Sequence, residues 1–498
     1  MTSTPNADAP SGKLPRLTRP AGVRPGVGIV HLGLGAFFRA HGALYVAEAM
    51  RASGGDWGIV GASLLRPDQR DRLAPQGFAY TALELGPDGA IPRVVDVVED
   101  VLVAREDPGA LVARMADPAV RIVSLSVTEK GYCHDPATGR LNAGHPDIVH
   151  DLASLARDGP APRSAPGFLV AALARRRGAG VAPFTVLCCD NLPRNGATVR
   201  GVVLELAEAT DPGLARWIAA EAAFPGTMVD RIVPATRPED IERVAALTGR
   251  LDLSPVVHEP FRQWVVEDRF VGGARPDLGA VGVQLVRDVR AFEAMKLRML
   301  NGTHSALAYL GYLAGYGTIA ETVADPVFAE LARRLWRAEI VPTLEPPEGE
   351  DLGAYAEALL ARYRNPGIRH RTWQIAMDGS QKLPQRLLGT LADNAAAGRP
   401  SPGLTLAVAA WMVYVGGRDE TGREIDVRDP LAARLRALSD GAADPAGKVA
   451  ALLAVREVFP ADLAAMAAPL AAAYAGLAAR GARASVADVV AGRPAPPP

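Results

Sequence analysis

The chain has 498 residues, 49% of them hydrophobic and 22% charged, enough to bury more than one core. Its formal net charge of -1 leaves no basic footprint for nucleic acid, and its three cysteines, Cys133, Cys188 and Cys189, offer neither a disulfide framework nor a Cys-x-x-Cys metal spacing. The Pro-rich N-terminus carries no apolar signal segment and the longest apolar stretch, around Leu404 to Val415, is too short to span a bilayer, so a cytoplasmic protein without membrane contact is expected.

Residues 1–24 read as a disordered arm. Over 25–285, β-like runs at Val27–Leu32, Gly58–Ser63, 121–127 and 184–189 alternate with helical segments, which predicts an α/β fold: a Rossmann-like, dinucleotide-binding domain with a parallel sheet. Gly33-Leu-Gly35-Ala36-Phe37-Phe38 follows the first run and precedes a helical run near Arg39, the setting a dinucleotide phosphate loop requires. Gly33 and Gly35 permit a tight turn and close backbone approach to a pyrophosphate; Phe38 stands where a third glycine is usual. The second run leads into Leu-Leu-Arg66-Pro-Asp68, where Asp68 suits the ribose hydroxyls of NAD and Arg66 a 2′-phosphate, so NADP stays open. Glu129, just past a further strand, is placed to line the nicotinamide side.

The stretch 134–164 reads as a loop. Asn191 follows the apolar run 184–189 at a strand C-terminal end, where open α/β sheets bind ligands, although an Asn there is also a common turn former. Asp230 and Arg231 put adjacent opposite charges inside an apolar strand-like stretch, which needs either an ion-pair partner or a site. From about Val289 the composition turns Ala- and Leu-rich with helical periodicity. This predicts a mainly α-helical substrate and catalytic domain over 286–490, a loop at 342–351 and a disordered tail over 491–498.

The first helical run of that domain, 291–304, holds Glu293, Lys296, Asn301 and His304. At roughly 100° per residue the four fall within an arc of about 140°. A lysine on a helix usually snorkels to water. Buried together, however, an ammonium, an amide and an imidazole can protonate a carbonyl oxygen, stabilise its charge and hold a neighbouring hydroxyl. Further on, 364–386 is cationic, with Arg364, Arg369, Arg371, Lys382 and Arg386. Such a set suits a carboxylate, with plain solvation the alternative for most of it. No Tyr is followed four residues later by Lys, and adjacent Cys188 and Cys189 cannot easily serve one tetrahedral zinc ion, so no metal is expected.

Taken jointly, Gly33-Leu-Gly-Ala-Phe-Phe-Arg-Ala-His41, Cys189-Asp-Asn-Leu-Pro193, Met228-Val-Asp-Arg-Ile232, Trp264-Val-Val-Glu-Asp268 and Lys296-x4-Asn301-x2-His304 resemble, in order, the motifs of the mannitol dehydrogenase family of polyol-specific long-chain dehydrogenases. The resemblance spans about residues 27–390. It implies a metal-independent NAD(P) oxidoreductase with its active site between the two domains. In that reading Lys296 is the acid/base, Asn191 and Asn301 hold the oxyanion, His304 contacts substrate and Glu293 lies on a proton path or gate. Gly33, Gly35, Ala36, Phe37, Phe38, Arg39, Asp68 and Glu129 are the expected cofactor residues, with NAD favoured.

Within the family, 370–386 looks most like the fructuronate reductase or mannonate oxidoreductase branch. Mannitol-oxidising members are expected to carry Arg where this chain has Gln374. Lys382, Gln374, Asp230 and Arg371 are the expected substrate contacts, for a small sugar acid or polyol handled by a monomer. Mannitol 2-dehydrogenase activity is the alternative, and a catalytically silent nucleotide-binding protein the alternative outside enzymes.

Overall fold

The structure, a computed structural model, describes residues 14–135, 138–155 and 161–493. It divides into two compact units, Met1–Val289 and Arg290–Pro498.

In the first unit five parallel strands pair in the order Val98–Val103, Gly58–Ser63, Val27–Leu32, Ile122–Leu125, Thr185–Cys188, which is 3-2-1-4-5 counted along the chain. The topological switch therefore falls between Val27–Leu32 and Ile122–Leu125, and the loops after Leu32 and Leu125 open where such sheets bind ligands. Alternation of side chains across the strands explains the packing. Val30, Leu32, Val60, Ala62, Val123, Leu125, Val186 and Cys188 enter one core, while Ile29, Ile59, Val101, Ile122, Leu187 and Cys189 enter another. With both faces covered, the strands are apolar throughout rather than alternating. Adjacent Cys188 and Cys189 thus belong to opposite faces and fill space.

Helices Pro108–Ala116, Ala165–Gly178 and Asn195–Thr210 close the first core. Helix Gly42–Ser53 closes the second, together with strands from two three-stranded sheets: Gln284–Val286, Gln263–Glu267 and Thr227–Asp230, and Gly89–Val95, Tyr80–Gly86 and Val256–His258. Each buried Val or Leu contributes about 1.5–3 kcal/mol, and a one-residue slip would exchange the two cores, so the register is firmly set.

Among the described residues the second unit is helical, with no strand beyond isolated bridges. The apolar stretch seen in the sequence is helix Pro402–Val415, wrapped by protein on all sides through Leu404, Leu406, Val408, Trp411 and Val415. The buried carboxylate of Glu339 accepts from the amides of Gly403 (2.9 Å) and Leu404 (2.8 Å), which have no partner inside the helix. No helix among the described residues is long and apolar enough to cross a membrane.

Two expected irregular segments are ordered in part. The arm is tied down from Pro15: Leu17 donates to Leu251 O (2.8 Å), Leu251 donates to Pro15 O (2.9 Å) and Arg19 Nη1 donates to Val98 O (2.8 Å). Leu17 is buried there, and one apolar anchor with two backbone bonds is what the local composition could not reveal. The stretch 134–164 contains helix Pro146–Leu155, whose Ile148, Leu152 and Leu155, at i, i+4 and i+7, pack on the first core. Residues 1–13 of the arm and 494–498 of the tail lie outside the described residues.

Candidate active site

In the first unit the glycine turn is shaped by its neighbours. Gly33 sits at φ +92°, and a Cβ there would lie 2.2 Å from Ser126 O, so only glycine fits beside the next strand end. Its amide donates to Ala62 O (2.8 Å). Ser126 Oγ donates to Gly33 O (2.8 Å) and lies 2.8 Å from Nε2 of His31, whose Nδ1 is 2.8 Å from Ser124 Oγ. Burial holds His31 down to about 3, so the ring is neutral and serves as a strut from the strand to the turn. His31 was not singled out from the sequence, where a histidine inside an apolar strand gives no functional signal.

The residues after the turn divide between surface and interior. Gly35 is exposed at the start of the short helix Ala36–Ala40, and a Cβ there would have its nearest neighbour 3.8 Å away at Gly33 O, leaving open space in front of the turn. Ala36 and Phe37 are half-buried, with Phe37 stacked on His41 at 5.1 Å. Phe38 is 2% exposed and stacks on His31 at 3.3 Å; Gly42 makes room for the ring, since a Cβ there would come within 2.6 Å of it. Phe38 is therefore packed into the core. Arg39 is packed inward as well. Its guanidinium is buried and donates to Ser254 O, and its carbonyl accepts from Tyr80 Oη (2.7 Å). Asp68 is exposed in the first turn of helix Asp68–Leu73, and Glu129 is exposed on the short turn Glu129–Tyr132.

Asn191 is exposed just past strand Thr185–Cys188 on a braced loop. Asp190 accepts from the amide of Val127 (2.8 Å) and from Tyr132 Oη (2.7 Å). The wholly buried Asn195 donates to Asp190 O (3.1 Å) and Thr227 O (3.0 Å), and accepts from the amides of Gly196 (2.7 Å) and Thr227 (3.0 Å). One carboxamide thus ties the Asn191 loop to strand Thr227–Asp230, at whose end Asp230 is buried. Arg231 turns to backbone carbonyls, Ala40 O (2.7 Å) and Glu259 O (3.0 Å), with Glu84 at 3.7 Å.

In the second unit Lys296–Gly302 is π-helix, continuing Arg290–Met295 and passing into Thr303–Leu313. The α-helical spacing assumed from the sequence is therefore corrected. Bonds running i→i+5 widen each turn and bring residues five apart, such as Lys296 and Asn301, closer to one face than an α-helix does. Lys296 and His304 are buried, while Glu293 and Asn301 are partly exposed. Distant aromatics brace the widened turns: Trp336 Nε1 donates to Met299 O (2.9 Å) and Tyr363 Oη to Leu300 O (2.9 Å). A second π segment, Pro384–Leu388, approaches so closely that a Cβ on Gly302 would lie 2.6 Å from Arg386 O.

This approach gathers the cations. Arg386 Nη1 donates to Ser305 Oγ (3.2 Å), and Lys382 Nζ donates to Met377 O (2.6 Å). The His304 ring lies 4.4 Å from that of His370 and 5.3 Å from that of Tyr363. Burial, then His370, Arg386, Arg362 and Lys382, holds His304 well below its ordinary value, and burial with Arg362, Arg386 and Lys382 brings His370 down to about 4. Both rings are neutral, and His304 Nε2 and His370 Nδ1 are buried with no hydrogen-bond partner among the described residues. Arg371 and Gln374 are exposed, Arg371 opening helix Thr372–Ala376. An apolar cavity of about 430 Å³, lined in part by Leu391, Leu406, Met466 and Val489, includes none of these residues.

Comparisons with known proteins agree along the chain. Models of the mannitol dehydrogenase Rossmann domain and the mannitol dehydrogenase C-terminal domain match residues 27–279 and 288–477. An uncharacterised oxidoreductase of Escherichia coli strain K12 is 49% identical over 437 residues, 87% of this chain and 88% of the relative. The D-mannonate oxidoreductase of that strain is 48% identical over 467 residues, 92% of this chain and 95% of the relative. The solved Pseudomonas fluorescens mannitol 2-dehydrogenase, in ternary complex with NAD and D-mannitol, superposes with a TM-score of 0.84 at 38% identity, covering 96% of this chain and 97% of that one.

Proposed function

Because the chain belongs to the mannitol dehydrogenase family of oxidoreductases, we propose that it interconverts a keto-sugar acid and its hydroxy acid, D-fructuronate and D-mannonate, with NAD. The observation that carries the substrate class is the set of cations around the neutral pair His304 and His370, since a carboxylate answers that charge and a neutral polyol does not. The 48%-identical D-mannonate oxidoreductase supports it. The 38%-identical mannitol 2-dehydrogenase supports a second reading, a fructose and mannitol pair, against which Gln374 and the cations weigh.

NAD fits the first unit on its geometry. The left-handed Gly33 and the open space before Gly35 suit backbone approach to the pyrophosphate, and the exposed Asp68 suits the ribose hydroxyls. When bound, the nicotinamide supplies the hydride for C5 of fructuronate. Lys296, buried in the π segment and shielded from bulk water, delivers the proton to the C5 oxygen. The amides of Asn191 and Asn301 hold that oxygen as its charge grows, each contributing about 2–4 kcal/mol in the transition state. His304, neutral and with Nε2 open to a partner, holds a neighbouring hydroxyl. Glu293, one turn before Lys296, relays or gates the proton. Lys382 pairs with the substrate carboxylate.

Lys382→Met tests the reading. A lost charge-assisted hydrogen bond of about 1.5–3 kcal/mol predicts a roughly 10- to 150-fold fall in kcat/KM for fructuronate and a much smaller one for fructose. Equal penalties would favour the neutral-sugar reading.

A further inference from the structure

Two imidazoles meet just after the Lys296–Gly302 segment, and the chemistry above uses only one of them. His370 is pinned through its backbone to the turn that follows helix Thr303–Leu313. Its carbonyl accepts from the amide of Ile319 (3.0 Å), Arg371 bridges to Thr318, and the amide of Thr372 donates to Gly317 O (3.1 Å). His304 stands at the start of that same helix. The two rings are thus carried on connected backbone and meet edge to face, with 4.4 Å between centroids and 69° between planes. Tyr363 stacks on the His304 ring at 5.3 Å.

This packing leaves ring nitrogens unanswered. His304 Nε2 and His370 Nδ1 are each buried with no hydrogen-bond partner among the described residues. A buried polar atom without a partner is rare and calls for a cause; two of them on touching rings call for a shared one. Burial, foremost, keeps both rings neutral. A neutral imidazole donates at one nitrogen and accepts at the other, and a sugar hydroxyl does both, so either tautomer can pair with it.

We propose that His370 is a further substrate-binding residue, its Nδ1 taking the C3 hydroxyl of fructuronate while His304 Nε2 takes the C4 hydroxyl beside the reacting C5. This rests on the reading above that His304 holds the hydroxyl next to the carbonyl. Rings 4.4 Å apart are close enough to serve oxygens on adjacent carbons, and the pinned backbone holds His370 in place without using its side chain. The pair reads the hydroxyls of the sugar, whatever binds its carboxylate.

The test uses the full-length enzyme with fructuronate, its 3-deoxy analogue and fructose, and follows NADH affinity by fluorescence. The wild type should favour fructuronate over the 3-deoxy analogue by roughly 5- to 150-fold in kcat/KM, the range for leaving a buried polar group unpaired. His370→Phe keeps a ring against His304 but removes both nitrogens. It should erase most of that preference, lowering kcat/KM for fructuronate and fructose alike, since fructose carries the matching hydroxyl, while the 3-deoxy analogue and NADH affinity are little affected. His370→Asn, whose amide reaches the place of Nδ1, should restore part of the preference. A merely structural role would lower all three substrates equally and leave the preference intact, and that result would overturn the assignment. If the Phe variant does not fold, the wild type decides, because no preference over the 3-deoxy analogue would overturn it as well. A wild-type enzyme that prefers fructose to fructuronate would overturn the sugar-acid reading and leave the His370 assignment standing.

Discussion

Gly302→Ala probes the contact that shapes the Lys296–Gly302 segment. The added Cβ would lie 2.6 Å from Arg386 O, against the 3.4 Å at which ordinary contact begins, so the two π segments must part by about 0.8 Å. The obstacle is backbone on both sides and cannot rotate away. Overpacking of this kind costs about 1–3 kcal/mol, which for a unit of this size lowers the melting temperature by roughly 2–12 °C. The catalytic loss should be larger in proportion, because a misplacement near 1 Å can reduce turnover about 100-fold. We expect kcat/KM for fructuronate to fall about 10- to 100-fold while NADH affinity stays within about twofold, since the glycine turn belongs to the other unit. NADH absorbance, NADH fluorescence titration and thermal melts give the three readouts. Gly389→Ala is the control: its Cβ would meet only Pro384 O at 3.8 Å, and a helical Gly→Ala change there should be neutral or stabilising by up to about 1 kcal/mol. Wild-type kinetics in Gly302→Ala would refute the claim that this approach sets the geometry around Lys296 and His304.

Other expectations follow from the same geometry. Lys296→Ala should lose most turnover yet bind NADH, and a wild-type kcat would remove Lys296 from the mechanism. Trp336→Phe deletes the 2.9 Å bond to Met299 O and should destabilise by about 1–3 kcal/mol in urea titrations while lowering kcat; an unaltered kcat would separate the π segment from catalysis. His31, His258 and His370 are held at about 3, 3 and 4, below the ordinary 6.5, so as pH falls the unfolded chain takes up protons first. Their stability contribution is complete above pH 6.5 and is lost from there down through the folded values, about 3 kcal/mol for His370 alone. Urea midpoints that stay flat between pH 7 and about 4.5 would contradict this. Activity should survive exhaustive chelation, since the proposed chemistry puts the developing charge on Lys296 and the two amides; loss on chelation with recovery on zinc would overturn that assignment.

The fold was legible where local pattern and tertiary environment agree. Apolar runs at Val27–Leu32 and Gly58–Ser63, each ended by a turn, mark doubly covered parallel strands, and the glycine turn follows from its setting. Lys296, Asn301 and His304 were legible as one helical run, but its π winding was not. That winding depends on Trp336 and Tyr363, which bond to it from 37 and 63 residues away. The burial of Phe38 and Arg39 was not legible for a related reason: it is decided by Gly42, Tyr80 and Ser254, and the motif alone does not say which way a side chain turns. Helix Pro146–Leu155 was missed although its i, i+4, i+7 apolar spacing stood in the sequence. Asn195 gave no signal, because a buried carboxamide that joins two strand ends looks like any residue of an Asn-Gly turn.

The most direct test of the sugar-acid assignment is the wild-type enzyme's selectivity, measured as kcat/KM for fructuronate and fructose with NADH, and for mannonate and mannitol with NAD in reverse. The cations around His304 and His370 predict that fructuronate exceeds fructose, and mannonate exceeds mannitol, by about 10-fold or more. Equal values, or a preference for fructose and mannitol, would contradict it.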